Sequence, residues 1–280
     1  MRLPDLRGLA VSLLVAAATA AAQPAVRHSP KTLGVRIADL TWVEAERVLD
    51  TGTVVVIPVG AEAKEHGPQL RLKNDWLLAE YYARRVLSSA KVVLYPTVNY
   101  SFYPAFVEYP GSTTVRLETA RDMIIDICRV IARHGPKRFY ILNTGVSTVR
   151  ALKPAQDSLA ASGLVMRFSD LGVVGKSAED RVKQEEGGTH ADEIETSMML
   201  YMYPQFVDMK KVAKDYHPGA GGLTRDSLVA VREGKTYSKT GIFGDATLAT
   251  RAKGRAVVEQ TVTDMLAEIA ALRRLPIPKP

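Results

Sequence analysis

A short run of β-branched residues at 53–58, followed directly by a polar segment at 60–75, most constrains the fold of this chain. The run is typical of a buried strand. In open α/β sheets, the C-terminal ends of strands are where ligands bind. His66 and Asp75, nine residues apart in the polar segment, are therefore predicted as a metal-binding or acid/base pair. The alternative is a capped loop, in which Asp75 caps a helix that begins at Trp76 and His66 fills a turn.

Strand-like and helix-like segments alternate along most of the chain, with no internal repeat and no low-complexity linker. Such alternation favours a layered α/β domain, in which helices flank a mostly parallel sheet. The patterns predict strands at 91–95, 138–142 and 164–168, and helices at 76–89, 117–134, 189–203 and 249–274.

The first 22 residues have the pattern of a secretory signal peptide. Arg2 and Arg7 precede an apolar stretch at 9–19 and three alanines at 20–22, which form a small-residue cleavage site. A membrane span needs about 20 apolar residues, so we expect cleavage rather than anchoring. The expected mature protein is a single domain, residues 23–280, exported to a bacterial periplasm and free of the membrane after cleavage.

Cysteine content and charge narrow the possible functions. The chain has one cysteine, Cys128, so it has no intramolecular disulfide. Cys128 lies on an apolar helix face and is predicted to be a core residue rather than a nucleophile. The net charge of +7 comes from dispersed basic residues without interleaved aromatics. This distribution favours solubility and argues against nucleic acid as a partner.

A second polar cluster lies at 187–197. Thr189 and Asp192 resemble a capping box, which predicts a helix start at Thr189 and His190 in its first turn. Glu195 lies one turn deeper, where the helix becomes apolar, and a carboxylate entering a core needs a cation or strong donors. His190 and Glu195 are therefore better site candidates than Asp192 or Glu193, which can be solvated acids of the first turn.

The loop at 99–111 is rich in aromatic residues and proline. Its aromatic side chains could form an apolar wall over a small ring-shaped substrate, or they could be ordinary core and loop residues. These side chains are Tyr100, Tyr103, Phe106 and Tyr109.

Several motifs together resemble the creatininase (creatinine amidohydrolase) family. Residues 60–75 resemble its Gly-Ser-x-Glu-Gln-His-Gly-Pro-His-Leu-Pro-Leu-x-x-Asp signature, and residues 109–113 resemble its Phe-Pro-Gly-Thr. Residues 189–197 are similar to its His-Ala-Gly-x-x-Glu-Thr-Ser, and 244–250 to its Gly-Asp-Pro-x-x-Ala-Thr. The resemblance implies a layered α/β fold. It also implies a metal-dependent hydrolase of cyclic amides or other non-peptide C–N bonds, often with two divalent ions and often oligomeric.

The resemblance also implies roles for individual residues. His66 and Asp75 match metal ligands, with Asp75 expected to bridge two ions. Glu195 matches an acid at the metal site, and His190 matches the catalytic histidine that handles protons. The glutamate of the first motif is replaced by Lys64. One extra residue between Gly60 and His66 could let Glu65 or Glu62 take its place, and Glu65 is the candidate for a fourth metal ligand.

Departures from the family pattern reduce the expected number of ions. The histidine of the third family motif is missing, with Gly145 at or next to its place, and Gln69 replaces the usual histidine after Gly-Pro. Three ligands plus water suffice for a catalytic divalent site, so we expect one ion per chain, zinc or manganese. If Lys64 points inward, it would add a positive charge in the place of a second ion.

The sequence thus predicts an exported, metal-dependent amidohydrolase that is a homo-oligomer and cleaves a C–N bond of a small, possibly cyclic amide. Two alternatives remain open. One is a divergent family member that binds a small ligand or metal without hydrolysis, which the residues Lys64 and Gly145 favour. The other is a hydrolase of different specificity, such as one acting on lactones.

Overall fold

The computed structural model describes residues 32–216 and 239–278. The predicted signal peptide at 1–22 lies outside these residues. Within them, no helix combines the length and the apolar character needed to cross a membrane.

A five-stranded parallel sheet forms the centre of the fold, with strand order β1-β3-β2-β4-β5. Each strand pairs with its neighbours in parallel, which confirms the predicted mostly parallel α/β architecture. The strands are β1 (Val35–Arg36), β2 (Val54–Val59), β3 (Val93–Leu94), β4 (Arg138–Asn143) and β5 (Val165–Phe168). A separate antiparallel pair joins β6 (Lys214–Asp215) to β7 (Gly244–Asp245).

Helices cover both faces of the sheet. Because side chains alternate along a strand, Val54 and Val56 of β2 join one buried apolar cluster, whereas Val55 and Ile57 join another. The first cluster includes side chains of α2 and α7, and the second includes those of α3 and α4. The helices are α1 (Trp42–Val48), α2 (Asn74–Ser89), α3 (Leu117–Ala132), α4 (Val149–Ala160), α5 (Lys176–Val182), α6 (Glu193–Met202) and α7 (Arg251–Arg274).

Strand order creates a crevice at the centre of the sheet. β2 and β4 are neighbours, but the chain leaves β2 towards β3 on one side and leaves β4 towards β5 on the other. Such a reversal is a topological switch point, where ligands bind beyond the C-terminal ends of the strands. The polar segment that follows β2 and the segment that follows β4 therefore meet at this crevice.

The predicted long elements are present within a few residues of their expected bounds, but three helices were not predicted. These are α1, α4 and α5, of which α4 contains Pro154 in its interior. Cys128 is fully buried in α3, where burial raises the pKa of its thiol to about 12. A thiol held in this neutral form is a packing residue, as the sequence predicts.

α6 and α7 pack with their backbones in close approach. A Cβ at Gly254 of α7 would lie 1.8 Å from the carbonyl oxygen of Ser197 in α6. Only glycine therefore permits this contact. The contact fixes α6, whose first turn carries Glu195, against the long C-terminal helix.

Candidate metal centre

The polar segment after β2 turns back tightly into α2. A Cβ at Gly60 would lie 2.4 Å from the carbonyl oxygen of Asp75, so the absence of a side chain lets the strand end touch the first turn of the helix. Thr144, which follows β4, donates from Oγ1 to the same carbonyl oxygen at 2.8 Å. The two strand ends and the start of α2 are thereby joined at the switch point.

Asp75 does not cap α2. The helix begins at Asn74, and its N-cap residue, Lys73, makes no side-chain capping bond. The alternative in which Asp75 caps a helix from Trp76 is therefore wrong. Asp75 lies in the first turn, is 2% exposed, and directs its carboxylate at two neighbours instead of at the helix backbone.

His66 is buried with both ring nitrogens in contact with polar atoms. Nδ1 lies 2.8 Å from the carbonyl oxygen of Lys64, and because a carbonyl oxygen only accepts, Nδ1 carries a proton. Nε2 lies 2.8 Å from Asp75 Oδ1 and 3.5 Å from Glu195 Oε1. Burial alone would lower the pKa of His66, but the Asp75 and Glu195 carboxylates together outweigh that effect and raise it.

α6 begins later than the sequence predicts. The helix spans Glu193–Met202, and its N-cap is Asp192, whose carboxylate accepts from the Glu195 amide at 2.9 Å. His190 precedes the helix and forms an antiparallel bridge with Phe243, whose amide donates to the His190 carbonyl at 2.9 Å. The predicted start at Thr189 is wrong because this bridge holds the preceding residues in an extended conformation.

Glu195 is held by two donors at the start of α6. Oε1 accepts from Asn74 Nδ2 at 2.8 Å, and Oε2 accepts from the Ala191 amide at 2.7 Å. Ala191 has φ of 47°, a left-handed conformation that is uncommon for a residue with a side chain. Strain of this kind is concentrated at functional sites. Here it turns the Ala191 amide towards the carboxylate.

His190 pairs with Glu65 on one side and faces Glu195 on the other. Its Nε2 lies 3.0 Å from Glu65 Oε2, and its Nδ1 lies 3.8 Å from Glu195 Oε2. Since a carboxylate accepts, Nε2 donates to Glu65, and Nδ1 is the nitrogen that faces Glu195. A histidine oriented through its second nitrogen by a carboxylate is a common arrangement around metal ions.

Lys64 points inward and forms a buried ion pair. Its Nζ lies 2.8 Å from Asp75 Oδ2, but the angles are not those of a regular hydrogen bond. Lys64 is 8% exposed. Burial opposes both charges, but the combined attraction of their charged neighbours, Glu195 for Lys64 and His66 for Asp75 as well as each other, is stronger. The pKa of Lys64 is therefore raised and the pKa of Asp75 is lowered.

Asp192 and Glu193 are not the solvated acids that the sequence suggests. Both are buried, and Glu193 forms an ion pair with Lys253 of α7. Burial and then the neighbouring Glu185 carboxylate raise the pKa of Asp192 well above its usual range. These two acids cap and anchor α6, whereas Glu195 faces the site.

The segment after β4 offers no ligand side chain at the position of the missing family histidine. Asn143 donates from Nδ2 to the Gly145 carbonyl at 2.8 Å, and Thr148 donates from Oγ1 to the same oxygen at 2.6 Å. A Cβ at Gly145 would lie 3.5 Å from Cε1 of Tyr103. The polar atoms of this turn thus bond to one another, and Tyr103 packs beside it.

A cleft of about 680 Å³ opens over these residues, within the range that is usual for small-molecule sites. Of the four predicted wall residues, Phe106 lines the cleft, Tyr100 is 54% exposed, and Tyr103 is buried. The Phe106 ring stacks on His190. Residues lining the cleft include Lys64, Asp75, Phe106, Arg150, His190 and Glu195.

The donor set is of a kind that can hold a divalent ion. Among the described residues, His66, His190 and Glu195 offer ligand atoms that all lie within 4.8 Å of one another. His66 Nε2 faces two carboxylate oxygens, so either a proton or a metal ion between them satisfies these contacts. Two nitrogen ligands and one oxygen ligand fit zinc or manganese.

The structure thus brings together all five residues that the sequence proposed for the site. His66, Asp75, Glu195, Glu65 and His190 are linked by the contacts above, with Glu65 reaching the cluster through His190. Sequence reasoning missed Asn74, which holds Glu195, and Gln69, which donates from Nε2 to the Ala191 carbonyl at 2.7 Å. Their position inside the polar segment was the available signal.

Comparisons with known proteins identify the family of this chain. Residues 38–269 match the sequence profile of the creatininase family, described as creatinine amidohydrolase. Creatinine amidohydrolase from Pseudomonas putida is 29% identical over 260 residues, which cover 84% of this chain and 96% of the relative. A mycofactocin precursor peptide peptidase from Mycobacterium ulcerans is 24% identical, covering 84% of this chain and 91% of the relative.

The solved structure of a manganese form of creatininase superposes with a TM-score of 0.70 at 24% identity, covering 86% of this chain and all of that one. At this identity the likeness shows the fold alone. The family profile spans most of the chain, from before β2 into α7. The chain therefore belongs to the creatininase family of amidohydrolases.

Proposed function

We propose that this protein is an exported hydrolase that cleaves an amide C–N bond of a small substrate with the help of one divalent ion. The observation that carries this proposal is the convergence of His66, His190 and Glu195 at the switch-point cleft. The solved manganese form of creatininase supports metal use. The relatives act on different substrates, so the substrate class is proposed only as a small amide.

The three ligand side chains are preset for an ion. His66 donates from Nδ1 to the Lys64 carbonyl, which leaves Nε2 for the metal, and Glu65 orients His190 so that Nδ1 is available. A divalent ion bound there would supply Lewis acidity to a carbonyl group and acidify a water molecule. Asn74 and the Ala191 amide hold the carboxylate of Glu195 in position.

Other residues would act directly on the substrate. The Lys64 ammonium lines the cleft and can hold a carbonyl oxygen as negative charge develops on it. Phe106 covers one side of His190 and limits water there. The family resemblance implies that His190 transfers protons, and this role stays a prediction. In the present proposal His190 is a metal ligand instead, because its Nδ1 faces Glu195.

A second candidate is ligand binding without hydrolysis. Lys64 and Gly145 favour it, because a lysine replaces one family ligand position and a glycine lies at or beside another. A buried ammonium paired with Asp75 is also compatible with a site that only holds an anionic or carbonyl-containing ligand.

Elemental analysis and turnover measurements distinguish hydrolysis from ligand binding without hydrolysis. Protein purified from the periplasmic fraction should start at Gln23, should carry about one zinc or manganese per chain, and should hydrolyse some members of a panel of cyclic amides, linear amides and lactones. Chelation should abolish turnover, and re-addition of the ion should restore it. Bound metal with no turnover of any compound would favour ligand binding without hydrolysis. Turnover of lactones alone would show that the enzyme cleaves a C–O bond and not a C–N bond.

A further inference from the structure

We propose that the ammonium group of Lys64 takes the place of a second metal ion in this centre. The inference rests on the proposed single-ion site, but it concerns a different position and is tested separately. It assigns Lys64 as a built-in cation in a family whose members often hold two divalent ions.

The contacts of Asp75 are the first argument. Its Oδ1 lies 2.8 Å from His66 Nε2, where the proposed ion is bound, and its Oδ2 lies 2.8 Å from Lys64 Nζ. The carboxylate therefore connects the metal ligand His66 with an ammonium, much as a bridging carboxylate connects two cations. Asp75 is 2% exposed, so water contributes little to balancing the charge on Oδ2.

The second argument concerns the surroundings of Lys64. Nζ lies 5.6 Å from the centroid of the Phe106 ring, a distance at which a ring face attracts a cation. Aromatic faces suit an ammonium, whereas a divalent ion prefers oxygen or nitrogen ligands. The cleft wall next to Lys64 is therefore adapted to the lysine itself.

The third argument is that the described residues beside Asp75 supply few ligands for a second ion. Next to Asp75, the turn after β4 has Gly145 near the position of the family histidine, and its neighbours Asn143 and Thr148 bond within the turn. The Tyr103 ring occupies the space beside Gly145. A buried phenol with a raised pKa stays neutral and is a poor metal ligand.

Charge balance is the fourth argument. The cluster contains the three carboxylates of Glu65, Asp75 and Glu195 and the single ammonium of Lys64. These groups leave two negative charges, which one divalent ion neutralises. A second divalent ion would give a buried site with a net positive charge, and desolvation makes such a site costly.

This assignment has a chemical consequence. An ammonium that lines the cleft provides N–H donors for a substrate oxygen without exchanging with solution. Chelators would remove the proposed ion but not this cation. The centre would therefore depend on metal supply for only one of its two cations.

Metal counting tests the inference without a substrate. The full mature protein is saturated with Zn²⁺, dialysed, and analysed by mass spectrometry of the metal. Wild type should retain one equivalent, and Lys64→Arg should retain one. Lys64→Gln should also retain one after dialysis but should bind a second ion weakly, because Asp75 Oδ2 loses its cation while the turn after β4 still supplies no side-chain ligand. Lys153→Gln removes an exposed lysine of α4 and should retain one. Added Zn²⁺ beyond one equivalent should raise the melting temperature of Lys64→Gln but not of wild type.

The outcomes are distinct. Two equivalents in wild type would overturn the inference even if Lys64→Gln failed to fold, because Lys64 would then not exclude the second ion. A folded Lys64→Gln variant whose melting temperature does not respond to Zn²⁺ beyond one equivalent would also overturn it and would leave the proposed function intact. No bound ion in wild type would overturn both.

Discussion

The ring of Phe106 stacks on the imidazole of His190, with ring centroids 3.9 Å apart and planes inclined by 21°. The same ring lies within cation–π distance of Lys64. Phe106 is 3% exposed and comes from the aromatic loop after β3, far in sequence from both partners. One side chain thus contacts both a proposed ligand and the proposed built-in cation.

Replacing Phe106 by leucine should loosen the site without unfolding the protein. The variant keeps an apolar side chain but loses ring stacking worth about 0.5–1.5 kcal/mol. Because His190 is less well positioned, zinc affinity should fall by up to about tenfold in a competition titration. Phe206→Leu changes a half-buried ring outside the cleft and serves as the control. Equal zinc affinities for wild type and Phe106→Leu would show that stacking does not orient His190.

His66 and His190 should both be needed for the ion. Alanine at either position removes one of three ligands, so metal content measured after dialysis should fall well below that of wild type, and the stabilisation contributed by binding should be lost. His134→Ala removes an exposed histidine next to the end of α3 and should keep the full metal content.

The two histidine variants also test the role taken from the family resemblance. If His190→Ala keeps its ion but loses roughly 10²- to 10⁴-fold in turnover, His190 is the proton donor that the sequence implies and not a ligand. If His66→Ala keeps its ion, the proposed centre is misplaced.

Lys253→Met should destabilise the protein strongly. Lys253 pairs with the buried Glu193 carboxylate, which also accepts the Gln184 and Glu185 amides at 2.9 and 2.7 Å. Removing the cation leaves a buried charge, with an expected cost of about 3–5 kcal/mol in urea unfolding. The double variant Lys253→Met with Glu193→Gln should recover part of that loss. Similar stabilities for wild type and Lys253→Met would indicate that solvent already screens this pair.

The ion pair between α2 and α7 should give a small, pH-dependent contribution. Two hydrogen bonds from Arg85, at 2.8 and 2.7 Å, lower the pKa of Glu259 to about 2. Because the folded pKa is depressed, this stability is present above the unfolded value near 4.5 and is lost as pH falls towards 2. Both side chains are about one-third exposed or more, so the effect should stay below about 1 kcal/mol.

Unfolding free energies of wild type and Glu259→Gln, measured between pH 6 and about 3, check this contribution. The difference between the two proteins should shrink at acid pH, and it should also shrink in about 1 M salt because exposed charges are screened. A difference that did not change with pH would mean that packing, and not charge, accounts for the effect of the substitution.

The amino-acid sequence alone determined the architecture and the parts of the site. The β-branched run before Gly60 predicted the buried central strand, alternating patterns predicted the parallel sheet, and the polar segments predicted His66, Asp75 and Glu195. These inferences succeed because hydrophobic periodicity and strand order depend on local sequence and on general rules of chain topology.

Only the tertiary structure decided how these parts are used. The start of α6 at Glu193 depends on a bridge between His190 and Phe243, more than fifty residues apart. The inward direction of Lys64 depends on Asp75 and Phe106, which approach it from α2 and from the aromatic loop. Contacts between distant segments set the charge and hydrogen-bond partners of each buried polar group. Local sequence patterns do not contain that information, because it arises only when the strands and helices pack together.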